Sequence, residues 1–329
     1  MPKNVLVLIH GITPEERPTA HTSLYDAFWD ALQRQRPELR AAIARVAYVE
    51  WGNALPGVPS RPDTELSEAE RRVSQLVRFA NVKRHRGPGN VLYPGVFGDV
   101  PKVPLLRELV LRPVREELVQ FGLADAVYYS SADGERAVRI AVYGQVLEAL
   151  RPYKHETDVR LHLVAHSLGV TVGHDLLYGL FGKQAPPDYL SQAPSQQDRE
   201  DYAWWRGPDD PARPGERVPR LRLGSFVSFA SQLPIFVLRK QELVSRLARG
   251  GVIDPVDIGI PRTGPTRWLC CYDVDDLLGF ATRELYGNAE SIRQVQVDSG
   301  DLPLSAHTDY WTTRTAIEES AELIARNAR

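Results

Sequence analysis

Seven short apolar runs, at 5–9, 46–51, 126–129, 159–164, 223–229, 268–272 and 292–297, recur along the chain with amphipathic stretches between them. An unbroken apolar run of this length suits a strand covered on both faces, and strand–helix alternation lays such strands side by side in one parallel sheet. The pattern therefore predicts an α/β fold: a mostly parallel sheet of six or seven strands with helices on both faces. Between the first two runs, Ser23 is placed to cap a helix with Asp26 three residues on, and Leu24, Ala27, Phe28, Ala31 and Leu32 form its apolar stripe. A last helix is expected over about 309–328, with Ile317, Ala321 and Ile324 on one face.

Two segments break the alternation without reading as separate domains, so residues 1–329 are expected to form one domain. Residues 53–123 hold a capping box at Ser67 and Glu70, an apolar stripe through Val73, Leu76, Val77 and Ala80, and a second helical piece from Pro104. This segment is expected to be a helical cap. Residues 182–220, rich in Pro, Gln and Asp, read as a long surface loop.

Composition narrows the classes of partner. A net charge of −2 on 329 residues gives no electrostatic reason to bind nucleic acid. No apolar run approaches the length of a membrane span, and 4–9 is too short for a signal segment and lacks a cleavage pattern. The two cysteines, Cys270 and Cys271, are adjacent on an expected strand, so their side chains point to opposite faces and do not readily pair. Two thiols in a chain this long fit a reducing compartment, and a cytoplasmic protein is expected. Oligomeric state has no signature here.

The chemistry concentrates around Ala165-His166-Ser167-Leu168-Gly169, between an expected strand and an expected helix. A serine at such a junction, with small residues two positions either side, describes a nucleophile elbow: the two backbones pass so close that larger side chains do not fit. Acyl transfer by serine also needs a base, an acid to orient it, and donors for the developing oxyanion. His10-Gly11-Ile12, ending the first strand, supplies the oxyanion turn, with the N–H groups of Ile12 and Leu168 as the two donors. The acid is sought after the strand at 268–272, where Asp273, Asp275 and Asp276 are available. Asp275 is preferred, three residues past the strand with Leu277 and Leu278 to anchor the loop; Asp276 is the second choice and Asp273 the third. The order serine, acid, histidine is the one α/β-hydrolases use, and of eight histidines it leaves only His307 as the base. His307 is expected on a loop before the last helix, and His166 is expected to pack under the elbow. No His-x-x-x-His or carboxylate pair at ligand spacing falls on a clear helix, so no metal is expected.

These residues, together with Phe229-Ala230-Ser231-Gln232-Leu233-Pro234 and Ala306-His307-Thr308-Asp309-Tyr310-Trp311, give the chain a resemblance to the α/β-hydrolase superfamily. It lies nearer to the lipase-like esterases than to the peptidases, and Ala165 stands where that pattern usually opens with Gly. The resemblance implies an α/β-hydrolase fold and hydrolysis of a carboxylic ester, with Ser167 as nucleophile, His307 as base and Asp275 orienting it. No cofactor is implied, and the partner is a small ester or lipid-like substrate. An acyltransferase or amidase with the same triad is the nearest alternative. A catalytically inactive scaffold that binds ligands or proteins is the other.

Overall fold

The computed structural model describes residues 2–11, 20–51, 129, 132–182, 195–213, 216–236, 241–276, 278–300 and 303–329. Residues 53–123, expected to form the cap, lie outside these, as do Ile12 and Leu277.

Six of the seven apolar runs form strands: β1 (Lys3–Ile9), β2 (Ile43–Val49), β3 (Val159–His166), β4 (Leu221–Phe229), β5 (Trp268–Tyr272) and β6 (Ile292–Gln296). They make one sheet in the order β2-β1-β3-β4-β5-β6, with every neighbouring pair parallel. From the seventh run, Tyr129 is helical rather than extended, and 126–128 lie outside the described residues. The helices are α1 (Ala20–Gln35), α2 (Leu39–Ala42), α3 (Ala132–Leu150), α4 (Leu168–Phe181), α5 (Gln196–Arg206), α6 (Leu233–Phe236), α7 (Gln241–Ala248), α8 (Pro303–Thr308) and α9 (Arg314–Asn327).

The continuous apolar runs are explained by burial on both faces of the sheet. Val5, Val7 and Ile9 of β1 join Leu161, Leu163 and Ala165 of β3 in a core layer closed by α3 and α4. Leu6, Leu8 and Val164, one position out of phase, face a second layer closed by α1 and α9. Each of these larger side chains contributes roughly 1.5–3 kcal/mol by leaving water. Cys270 and Cys271 fall into opposite layers, both buried and unpaired, and burial pushes the Cys270 thiol up to about 12.

Three expectations about elements need correction. Helix α1 begins at Ala20, so Ser23 lies within its first turn and does not cap it; Asp26 instead accepts from the Tyr48 hydroxyl at 2.6 Å. The C-terminal helix is broken: a 3₁₀ turn at Asp309–Trp311 precedes α9, with Thr313 as its N-cap. The segment 182–220 is no plain loop, because it contains α5, which buries Tyr202 and Trp205.

The order of the strands locates a crevice. The chain lays β2 on one side of β1 and then returns to lay β3 on the other, so the direction of winding reverses between β1 and β3. Ligands of open parallel sheets bind outside the carboxyl ends of the strands at such a point. In register, Ile9 pairs with Ala165, so His10-Gly11 and His166-Ser167 leave the sheet side by side there.

Candidate active site

Ser167 occupies a sharp turn between β3 and α4, with φ 55° and ψ −128°. That conformation is unfavourable for a residue with a Cβ, by about 1–3 kcal/mol, and persists only where neighbours enforce it. The Ser167 N–H donates to the Phe229 carbonyl at 2.9 Å, and the Ser167 carbonyl accepts from the Val170 N–H at 3.0 Å. The turn after β1 presses against it. A Cβ at Gly11 would lie 2.6 Å from Ser167 Cβ, and one at Gly169 would lie 2.3 Å from the His10 carbonyl oxygen. Both approaches are closer than any side chain tolerates, which is the physical reason for glycine at these two places.

From Ser167 a continuous relay runs inward. Its Oγ lies 2.8 Å from His307 Nε2, and His307 Nδ1 lies 2.8 Å from Asp276 Oδ1. With Nδ1 facing a carboxylate, that nitrogen carries the ring proton and Nε2 is left to accept the serine hydroxyl. His307 stands on the short helix α8 rather than on a loop. Its carbonyl accepts from His166 Nε2 at 2.6 Å, and the His166 ring packs 6.1 Å from that of Trp311. His166 thus holds the backbone of the histidine that faces Ser167.

The acid of this relay is Asp276, and the preference for Asp275 is corrected: Asp275 is exposed, and no hydrogen bond joins it to His307. The reason lies in Asp273, whose Oδ1 accepts the Asp275 N–H at 2.9 Å and curls the chain by an extra residue. Asp273 is itself occupied. Its Oδ2 accepts from the Ser299 N–H at 2.6 Å and lies 2.8 Å from Ser299 Oγ. Burial opposes the Asp273 charge, but the N–H groups of Ser299 and Asp275 outweigh it and hold the carboxyl below its usual range.

Asp276 is supported in turn. Its Oδ1 accepts from the Leu278 N–H at 2.9 Å and its Oδ2 from the Tyr310 hydroxyl at 3.0 Å. That hydroxyl also accepts from the Asp273 N–H at 2.8 Å, so one phenol ties two parts of the acid loop together. Burial, and then the charge of Asp276, push the Tyr310 phenol far above its usual range and keep it a donor.

One group at this site had no role assigned from the sequence. Gln232, in the turn after β4, places Nε2 3.2 Å from Ser167 Oγ. Gln232 lies in the Phe229-Ala230-Ser231-Gln232-Leu233-Pro234 stretch that contributes to the resemblance, and its position just past the end of a strand beside the elbow is what points to a role. On the other side of the serine, Leu168 opens α4, and the first N–H groups of a helix have no partner within it and carry its positive dipole end. Ile12, the other expected donor, lies outside the described residues, next to the Gly11 that touches Ser167. Among the described residues no group of His, Cys, Asp and Glu is arranged to hold a metal ion. Nor is any described helix long and apolar enough to cross a membrane.

Comparisons with models of protein families, with curated proteins and with solved structures return no match.

Proposed function

We propose that the protein is a serine hydrolase of α/β-hydrolase fold that cleaves carboxylic esters through an acyl-enzyme on Ser167. The observation that carries this reading is the relay Asp276–His307–Ser167, with both links at 2.8 Å, at the carboxyl edge where the sheet changes direction. In the first step Ser167 Oγ bonds to the ester carbonyl carbon as its proton passes to His307 Nε2. The imidazolium so formed is stabilised by Asp276, and the oxyanion is met by the N–H groups of Leu168 and Ile12. Collapse breaks the ester C–O bond, and the leaving alcohol takes the proton from Nε2. Water then repeats the sequence on the acyl-enzyme and releases the acid.

A binding scaffold without chemistry has no use for a strained serine held against an oriented imidazole, which favours the enzymatic reading. The apolar side chains Ile235, Val274 and Phe280 are exposed on the segments that carry Gln232 and Asp276, and they suit a lipophilic portion of the substrate. The test is covalent labelling by a fluorophosphonate probe, mapped by mass spectrometry, beside hydrolysis of p-nitrophenyl butyrate. Labelling confined to Ser167, and a loss of about 10³-fold or more in kcat for Ser167→Ala, is the expected result. An unlabelled Ser167, or a Ser167→Ala protein with near-normal turnover, removes the proposal.

A further inference from the structure

Gln232 is buried, 2% exposed, and only half of its carboxamide is used. The relay determines which way it points. His307 Nε2 accepts the Ser167 hydroxyl proton, so Oγ has only lone pairs left to offer, and the group facing it at 3.2 Å must be the amide NH₂. Oε1 is the other end of the same planar group, and this buried acceptor has no hydrogen-bond partner among the described residues. Amide oxygen and nitrogen are about 2.3 Å apart, which keeps Oε1 within about 5.5 Å of Ser167 Oγ. A buried acceptor left unpaired is unfavourable, because it has lost water and gained nothing in exchange.

The side chain springs from a rigid turn. Ala230 has φ 51°, Ser231 Oγ accepts from the Leu233 N–H at 3.3 Å, and the Ser231 carbonyl accepts from the Phe280 N–H at 2.9 Å. The Gln232 carbonyl accepts from the N–H groups of Ile235 and Phe236 at 3.0 and 3.3 Å. Its position also decides which part of a substrate it meets. Strands β1 and β4 flank β3 on opposite sides, so the turn that carries Gln232 and the Gly11 turn lie on opposite sides of Ser167. With the oxyanion assigned to the Leu168 N–H and the turn after β1, Oε1 is left to the substituents of the scissile carbonyl, since the carbonyl oxygen would repel it.

We propose that Gln232 determines substrate specificity, its Oε1 accepting a hydrogen bond from a hydroxyl or N–H close to the scissile ester. The inference rests on Ser167 being the nucleophile and names the substrate class: esters that carry such a donor, in preference to simple alkyl esters. The donor has two sources, a hydroxyl on the second carbon from the ester oxygen on the alcohol side or an amide N–H on the acyl side. Two matched pairs separate them. Glyceryl 1-monobutyrate is compared with n-propyl butyrate, and N-acetylglycine ethyl ester with ethyl 4-oxopentanoate, in which CH₂ replaces the N–H.

The expected result is a preference of about tenfold or more in kcat/KM for the donor-bearing member of at least one pair. In Gln232→Met, which has neither donor nor acceptor, that preference shrinks to about twofold or less. Gln232→Glu, which keeps an acceptor, retains more of it. The ratio of two substrates on one protein is a readout that a general loss of folding or turnover leaves unchanged, and the wild-type comparison needs no variant. Equal kcat/KM within both pairs, with Ser167 still labelled by the fluorophosphonate, overturns the role of Gln232 and leaves the hydrolase reading standing. A preference undiminished in Gln232→Met overturns it as well. Absent labelling and absent ester turnover in the wild type overturn both.

Discussion

Asp273, Asp275 and Asp276 differ in what their surroundings allow them to do. Asp273 is committed to Ser299 and to the turn, Asp275 is exposed, and Asp276 receives three hydrogen bonds, one of them from His307. Only the carboxylate on Nδ1 sets the histidine's tautomer. Asp276→Asn is therefore expected to lower kcat by about 10³- to 10⁴-fold, and Asp275→Asn to change it little. Steady-state hydrolysis of p-nitrophenyl butyrate by the two purified variants decides between them, and a dead Asp275→Asn with an active Asp276→Asn would reverse the assignment. Tyr310 belongs to the same unit. Tyr310→Phe strands both the Asp273 N–H and one oxygen of Asp276, so it is expected to lower kcat roughly tenfold and to lower the melting temperature as well. A variant as stable and as active as the wild type would show that the phenol supports neither.

Elements were legible in the sequence where one local pattern dictated them. The four inner strands announce themselves because burial on both faces demands largely apolar runs, whereas the edge strands β2 and β6 carry Arg or Gln and are only partly buried. Ser167 and His307 follow from a motif at a strand end and from chain order. What was not legible depended on interactions distant in sequence or on turn geometry. Helix α5 hides because its buried face includes Asp201, paired with Arg151 and Lys154, rather than an apolar stripe. Its one local signal is Ser195, whose side chain accepts from the Asp198 N–H. Asp276 was displaced by one position from the preferred acid by the Asp273 side-chain turn, and no periodicity reports that. The glycines give an element-scale test with opposite signs. Gly169→Ala drives a Cβ to 2.3 Å of the His10 carbonyl oxygen, where only backbone can yield. It is expected to cost about 1–3 kcal/mol and most of the activity. Gly144→Ala, inside α3, meets its nearest atom at 3.4 Å and is expected to stabilise by about 0.5–1 kcal/mol through helix propensity. Chemical denaturation of both variants measures the two signs, and a stabilised, active Gly169→Ala would deny the close approach of the two turns.

At the scale of the whole molecule, one buried polar cluster at the other edge of the sheet joins chain segments far apart in sequence. His162 of β3 lies 2.8 Å from Ser225 Oγ through Nδ1 and 3.1 Å from Asn4 Oδ1 through Nε2. Asn4 Nδ2 donates to the carbonyls of Ala42 and Ala328, at 3.1 and 2.8 Å, so β1, the end of α2 and the residue after α9 meet at one histidine. The ring donates from Nε2 and accepts at Nδ1, which is the neutral form. Burial pushes its pKa down to about 3, and the charges of Arg160 and Arg267 act in the same direction. In the unfolded chain a histidine titrates near 6.5. Between these two values the unfolded state binds a proton that the folded state refuses, so stability is complete above about pH 6.5 and falls as pH drops toward 3, by up to roughly 1.4 kcal/mol per pH unit. Carboxylates add their own acid sensitivity, and a variant isolates the histidine. His162→Gln is expected to be less stable than the wild type at pH 7.5, yet to lose stability more slowly between pH 6 and pH 4, so that urea-denaturation curves of the two proteins converge on acidification. Parallel losses over that range would mean that His162 takes up its proton without unfolding the sheet around it.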